Sequence, residues 1–185
     1  MKFHKQVKNI AIVAFIILVA ATSRLIPHLH NFSPLIAMSV FGAAYLKNTK
    51  LIWWLPLAAT FLSDIALHFF VYSDFTFFYP GWIFQYVAYG VIILVSTIIF
   101  KKVNVLRIGI ATLAGALLFF LISNFGSWIV IPEYSKNLQG LISAYAAGIP
   151  FFKGTFYSTL LFSVLLFSAY YIMQIVNIRT SKVNA

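Results

Sequence analysis

The sequence LIWWLPLAATFLSDIALHFFVY occupies residues 51–72 and decides the fold class. It is long enough for one bilayer-spanning helix, which needs about 20 predominantly apolar residues. Trp53 and Trp54 lie at its start, where aromatic side chains favour the membrane–water interface. The stretch therefore predicts a membrane-spanning helix that contains one charged side chain, Asp64, and one histidine, His68.

The rest of the chain has the same apolar character. Hydrophobic residues make up 62% of the sequence and charged residues only 9%, against roughly 25% charged residues in soluble domains. We predict an all-α membrane protein with a single integral domain over residues 1–185. The six predicted spans are residues 9–27, 34–46, 51–72, 82–100, 107–131 and 151–176.

Two details of this division rest on local signals. The second segment is short, so we predict that it begins below the membrane surface, with Asn31 or Ser33 as its cap and Pro34 in its first turn. Residues 137–149 are predicted to form a separate short re-entrant or amphipathic helix, because Pro150 follows them.

The charged residues orient the bundle. All three acids, Asp64, Asp74 and Glu133, fall near the same ends of the apolar segments. Ten of the thirteen basic residues fall at the opposite ends: Lys2, Lys5, Lys8, Lys47, Lys50, Lys101, Lys102, Arg107, Arg179 and Lys182. Because Lys and Arg are enriched in cytoplasmic loops, we predict that both termini are cytoplasmic.

Several function classes are disfavoured. The basic residues occur in short clusters between apolar runs, so the net charge of +10 predicts membrane topology and no nucleic-acid partner. The chain has no cysteine, which removes thiolate ligands and nucleophiles. It has no Gly-x-Ser-x-Gly motif, no zinc-protease motif and no phosphate-binding loop. We predict that it is not an enzyme and has no resident cofactor or metal.

Asp64 indicates the first candidate site. Asp64 and His68 are four residues apart and share one helix face. Arg24 lies at a similar depth near the end of the first span, where it either extends to the lipid headgroups or pairs with Asp64. A metal site built from His28, His30, Asp64 and His68 is an alternative, although their spacing matches no recognised motif.

A second group of polar residues lies at the same membrane face. Asn124 and Trp128 are four residues apart near the end of the fifth span, and Gln85 is near the start of the fourth. Asn124 is a candidate for a ligand contact or for a hydrogen bond between helices. An aromatic and hydrogen-bonding rim of this kind suits a flat, partly polar organic molecule. The candidate substrate-binding residues are Arg24, His28, Asn31, Asp64, His68, Gln85, Asn124 and Trp128.

Several motifs, spread in order over nearly the whole chain, resemble a family of small uncharacterised bacterial integral membrane proteins. They are RLIPH at residues 24–28, NFSP at 31–34, LSD at 62–64, SNFGSW at 123–128, GL at 140–141, and residues 147–152. That family is similar in size and layout to the substrate-binding S components of energy-coupling factor vitamin transporters, including solitary vitamin B12 transporters.

The resemblance implies six helices with an outward-facing pocket in the bacterial cytoplasmic (inner) membrane, and either an energising partner module or solitary action. Two features depart from it. The first span lacks the Ala-x-x-x-Ala spacing by which S components often dock on their partner, and the B12-type relatives place a cysteine on cobalt. His68 or His28 would take the place of that cysteine.

The function that we expect is uptake of a vitamin or similar small organic molecule. The alternatives are a non-transporting scaffold or accessory subunit, and an intramembrane metal-dependent enzyme.

Overall fold

Six α-helices and one short 3₁₀ helix make up the computed structural model, which describes residues 2–25, 31–70 and 80–183, and side chains within 7–25, 31–70 and 80–176. The helices are α1 (Lys2–Thr22), α2 (Leu35–Tyr45), α3 (Leu51–Phe70), α4 (Trp82–Ile99), α5 (Val105–Val130) and α6 (Leu138–Val183). The 3₁₀ helix, Ser23–Leu25, continues α1. His28, His30 and Asp74 lie outside the described residues.

Helix α2 is the centre of the bundle. Every side chain from Leu35 to Ala44 is buried, and α2 contacts α1, α3, α4, α5 and α6. A helix that is apolar on all sides is stable when protein surrounds it. The Phe41 ring makes edge contacts with Tyr45, Phe167 and Tyr170, at centroid distances of 5.1, 5.2 and 5.9 Å. The other helices therefore pack around a short apolar core helix.

Successive helices run in opposite directions. Arg24 at the end of α1 contacts the second half of α3, so α1 and α3 are parallel and α2 returns the chain between them. Asn31, just before α2, lies beside Ser158, whereas Tyr45 at the end of α2 packs on Tyr170. We call the end that contains the start of α2 the polar end. The opposite end, where Lys47 and Lys101 lie, is the basic end.

The start of α1 and the end of α6 lie together at the basic end. Gln174 Nε2 donates a hydrogen bond to Asn9 Oδ1 over 3.0 Å. Thr112 near the start of α5 donates to Ser163 of α6 over 3.0 Å, which shows that α5 and α6 are antiparallel. The first and last helices thus close the ring around α2.

Five helices are long and apolar enough to cross a membrane. The candidate spans are Val7–Leu25, Leu51–Phe70, Trp82–Ile99, Val105–Val130 and Leu138–Val176. Large apolar side chains are exposed on all of these helices, which in water would form an extensive apolar surface and in a bilayer faces lipid. The chain is therefore an all-helical, multi-pass membrane protein.

The predicted segments 34–46, 51–72, 82–100 and 107–131 agree with α2 to α5 within two residues, whereas α1 begins earlier than residue 9 and α6 extends beyond 151–176 at both ends. The prediction of a separate helix over 137–149 is wrong, because α6 continues through Pro150 from Leu138 to Val183. Proline removes one backbone N–H and ends many helices in water. In membrane helices, neighbouring helices and side chains compensate for the lost bond, and the first part of α6 packs on α5 through Tyr145, whose hydroxyl donates to the Leu121 carbonyl over 2.8 Å.

The predicted cap of α2 is also wrong. Pro34 occupies the N-cap position and no side chain caps the helix. Ser33 lies one residue too early for its hydroxyl to reach the first-turn N–H groups. Its Oγ is buried and has no hydrogen-bond partner among the described residues.

Replacing Phe41 with alanine is expected to lower the free energy of unfolding by about 3 kcal/mol, because the truncation leaves a cavity in a fully packed core. Phe15→Ala is the matched control, since the Phe15 side chain is 59% exposed on α1. Unfolding of the purified protein by SDS in mixed micelles measures both changes. Equal destabilisation by the two substitutions would contradict the central position of α2.

Candidate functional site

An ion pair joins α1 to α3 at the polar end. Arg24 Nη1 lies 2.7 Å from Asp64 Oδ1, and the two side chains are 12% and 17% exposed. The same nitrogen donates to the Ser63 hydroxyl and, over 3.3 Å, to the Thr60 carbonyl. The predicted Arg24–Asp64 pair is therefore confirmed. Because each charge is largely removed from solvent, each depends on the other for compensation.

Tyr86 extends this network to α4. Its hydroxyl donates to Asp64 Oδ2 over 2.8 Å, so both carboxylate oxygens of Asp64 have a partner. The Tyr86 ring also makes edge contacts with Trp82 and Tyr89, at centroid distances of 5.7 and 6.2 Å. Asp64 therefore holds the polar ends of three helices, α1, α3 and α4, in one arrangement.

The histidines form no cation site within the part of the chain that the structure describes. His68 lies one helical turn beyond Asp64 and packs edge-on against Phe69, with centroids 4.9 Å apart. No group of three or more His, Cys, Asp or Glu side chains that could hold a metal occurs among the described residues. The predicted position His28 and its neighbour His30 lie outside them.

A cavity of about 330 Å³ opens at the polar end between α4, α5 and α6. Its aromatic walls include Phe119, Phe120 and Phe152, and the Phe120 and Phe152 rings lie 5.0 Å apart. Side-chain amides of Asn31, Gln85 and Asn124 line the same space. This volume lies at the lower end of the range of about 300–1,000 Å³ that is typical of small-molecule sites.

Gly148 lets α6 approach Asn124 closely. A Cβ at position 148 would overlap the Asn124 side-chain amide. Asn124 Nδ2 donates to the Phe120 carbonyl over 2.7 Å within α5, which fixes the amide at the cavity wall. Both Asn124 and Gly148 line the cavity, so the absence of a side chain at residue 148 determines the position of a polar group in it.

A second cavity of about 160 Å³ adjoins the first near the start of α2. Arg24, Ser33 and Ser158 line it, as do Leu35 and Ile36 in the first turn of α2. Four residues line both cavities: Asn31, Gln85, Phe119 and Thr155. The two spaces therefore share a wall and form one polar region beside the Arg24–Asp64 pair.

The structure describes seven of the eight predicted site residues, all except His28, and divides them into two groups. Arg24, Asn31, Gln85 and Asn124 line the cavities. Asp64, His68 and Trp128 line neither of these two cavities as far as the described residues define them.

Trp128 instead secures the loop that follows α5. Its Nε1 donates to the Ser135 carbonyl over 3.0 Å, and Lys136 Nζ donates to the Trp128 and Ile131 carbonyls. Asn124 and Trp128 are four residues apart on α5, but Asn124 lines the larger cavity whereas Trp128 bonds to the loop after α5.

Some cavity residues carried a sequence signal that the prediction did not use. Thr155, Ser158, Thr159 and Ser163 are all buried hydroxyl residues of α6. Their spacings of three and four residues place them on one helix face. Two of them, Thr155 and Ser158, reach the cavities. The aromatic residues Phe119, Phe120 and Phe152 carried no comparable signal, because apolar side chains occur throughout these helices.

Comparison with known proteins places the chain in a family without assigning an activity. No curated protein and no solved structure matches it. A family of unknown function, DUF6580, matches residues 4–181, which is nearly the entire sequence. The chain therefore belongs to the family of unknown function DUF6580.

Proposed function

We propose that the chain is a substrate-binding membrane protein for uptake of a vitamin or a similar small organic molecule. The observation that carries the proposal is the larger cavity, which aromatic walls and the side-chain amides of α4, α5 and the turn before α2 line together. Such a combination binds a flat molecule by its faces and orients it by hydrogen bonds at its edges. The resemblance to S components of vitamin transporters motivates the same class of ligand.

The proposed topology has six crossings, with both termini in the cytoplasm of a bacterium. The alternating directions of α1 to α6 support it, because α2 returns the chain from the polar end to the basic end. The clustering of Lys and Arg residues at the basic end supports a cytoplasmic position for that end. In this orientation, the cavities are reached from outside the cell.

The proposed transport needs an energy source other than nucleotide hydrolysis by this chain. The sequence contains no recognisable nucleotide-binding motif. An energising module of the energy-coupling factor type would supply ATP hydrolysis, or the protein would act alone on a concentration gradient. Pull-down from mild detergent separates these possibilities, because a stoichiometric ATPase partner supports the module.

Ligand binding is the direct test. We expect mass spectrometry of protein purified in mild detergent to detect a co-purified small molecule, and calorimetric titration to give saturable binding of that molecule. Gln85→Ala should weaken binding at least tenfold, because Gln85 lines both cavities. Gln139→Ala is the matched control, since Gln139 is an exposed amide at the same end of the bundle.

Other outcomes would overturn the proposal. Absence of binding across the B vitamins, cobinamide and cobalamin, together with normal growth of a deletion strain under limiting vitamin, would contradict uptake. A stoichiometric protein partner without an ATPase would favour a membrane scaffold. Stoichiometric zinc or iron in elemental analysis would favour a metal-dependent enzyme.

A further inference from the structure

The two cavities differ in charge. Among the described residues, no Lys, Arg, Asp or Glu lines the larger cavity, whose polar groups are amides and hydroxyls. The smaller cavity contains Arg24. A charged group in the larger cavity would lose its hydration without gaining an opposite charge, which is costly in an apolar surrounding. Among the described residues, a negative charge on a ligand therefore has a cationic group beside it only in the smaller cavity.

Arg24 has donors that the ion pair leaves unused. All three of its polar contacts with described residues, to Asp64, Ser63 and Thr60, use Nη1. A guanidinium carries five N–H groups in a planar fork. Its Nη2 and Nε make no hydrogen bond within the described part of the chain. Arg24 lines the smaller cavity, which makes these N–H groups the candidate donors to an acceptor there.

Other donors in the smaller cavity favour an anion. The Ser33 hydroxyl oxygen is buried and has no partner among the described residues, and Ser33 lines this cavity. The first turn of α2, through Leu35 and Ile36, lines it as well. The first N–H groups of a helix are unpaired within the helix and carry partial positive charge. None of the described lining residues of either cavity is acidic.

We propose that the ligand is a flat, uncharged ring system that carries a carboxylate. The ring lies in the larger cavity between the aromatic walls, and the carboxylate lies in the smaller cavity beside Arg24. The residues that line both cavities, Asn31, Gln85, Phe119 and Thr155, would then lie between the two groups of the ligand. This inference rests on the proposed function and narrows its substrate class.

A carboxylate fits this position better than a phosphate monoester. Its planar pair of oxygens matches two parallel N–H groups of a guanidinium. It also adds a single negative charge next to a pair that Asp64 already neutralises, whereas a phosphate monoester adds about −1.5 to −2. The smaller cavity holds about 160 Å³, enough for a carboxylate with a short aliphatic link.

Matched acids and amides test the inference. The probes are nicotinate, indole propionate and indole butyrate, each compared with its primary amide by titration calorimetry against the full chain in detergent. For the probe that binds most tightly, we expect the acid to bind at least tenfold more tightly than the amide. Lys153→Gln should leave this ratio unchanged, because Lys153 is exposed and lines neither cavity as described.

The substitution Asp64→Asn distinguishes a ligand-binding role of Arg24 from a purely structural one. The substitution removes the competing negative charge from Arg24, so we expect acid affinity to rise at least threefold and amide affinity to stay constant. Arg24→Gln combined with Asp64→Asn should abolish the preference for the acid, in a protein from which both charges of this ion pair have been removed. A purely structural pair would instead change the affinities for acid and amide by the same factor.

Failure of the carboxylate inference and failure of the proposed function would give different results. Amides that bind as tightly as acids would overturn the carboxylate inference and leave the proposed uptake function standing. A co-purified ligand without an anionic group would have the same consequence. Absence of any co-purified molecule and of binding by every probe and vitamin would overturn the proposed function itself.

Discussion

Replacing Asp64 with alanine is expected to lower the free energy of unfolding by about 3 kcal/mol, because the change leaves the Arg24 charge largely buried without its counter-ion. Arg24→Ala should cost a similar amount by leaving the carboxylate with Tyr86 as its remaining described partner. The substitution Tyr86→Phe removes the hydrogen bond to Asp64 Oδ2 and should cost about 1–2 kcal/mol. SDS titration in mixed micelles measures all three.

The double variant separates an ion pair from two independent residues. Arg24→Ala with Asp64→Ala removes both charges, so we expect it to be more stable than either single variant. Glu133→Ala is the matched control, because Glu133 is an exposed acid at the same end of the bundle. A loss of stability in the double variant that equals the sum of the two single losses would show that the charges are not coupled.

Gly148→Ala is expected to weaken ligand binding at least tenfold, which corresponds to about 1.4 kcal/mol. The added Cβ would occupy the position of the Asn124 amide, so the amide must move into the cavity or the helices must separate. Overpacking of this kind also costs about 1–3 kcal/mol of stability. Titration calorimetry and SDS unfolding measure the two effects on the same preparation.

Two further variants serve as a control and a rescue for Gly148→Ala. Gly90→Ala adds the same methyl group to α4, where nothing lies within 4 Å of it, and should leave binding unchanged. Adding Asn124→Ala to Gly148→Ala relieves the overlap, so we expect stability to recover while binding stays weak. Recovery of binding in this double variant would show that the Asn124 amide does not contact the ligand.

The ion pair was predictable because the free-energy cost of an unpaired charge within an apolar helix is large. A charge within an apolar segment is costly, so few residues compete for the role of partner, and Arg24 lay at a similar depth. The same reasoning located the polar end, since the basic residues are sorted by position along the chain. The bounds of α2 to α5 followed from length and hydropathy.

The cavities were less predictable because they depend on packing. Trp128 shares a helix with Asn124, yet its indole N–H donates to the Ser135 carbonyl of the loop after α5. The contact between Gly148 and the Asn124 amide depends on α6 continuing past Pro150, which the sequence did not predict. Sequence spacing fixes which residues share a helix face, but the angle between two helices decides which face borders a cavity.

The shortness of α2 has a consequence for the permeability of the bundle. Its 11 residues extend about 16 Å at 1.5 Å per residue, roughly half of a hydrocarbon layer about 30 Å thick. In the proposed orientation, with the end of α2 at the cytoplasmic surface, a ligand at the start of α2 would lie about halfway across the membrane. The remaining half is sealed by an apolar plug with every side chain from Leu35 to Ala44 buried. Passage of a bound ligand to the basic end would therefore require a rearrangement of α2 or of the helices around it.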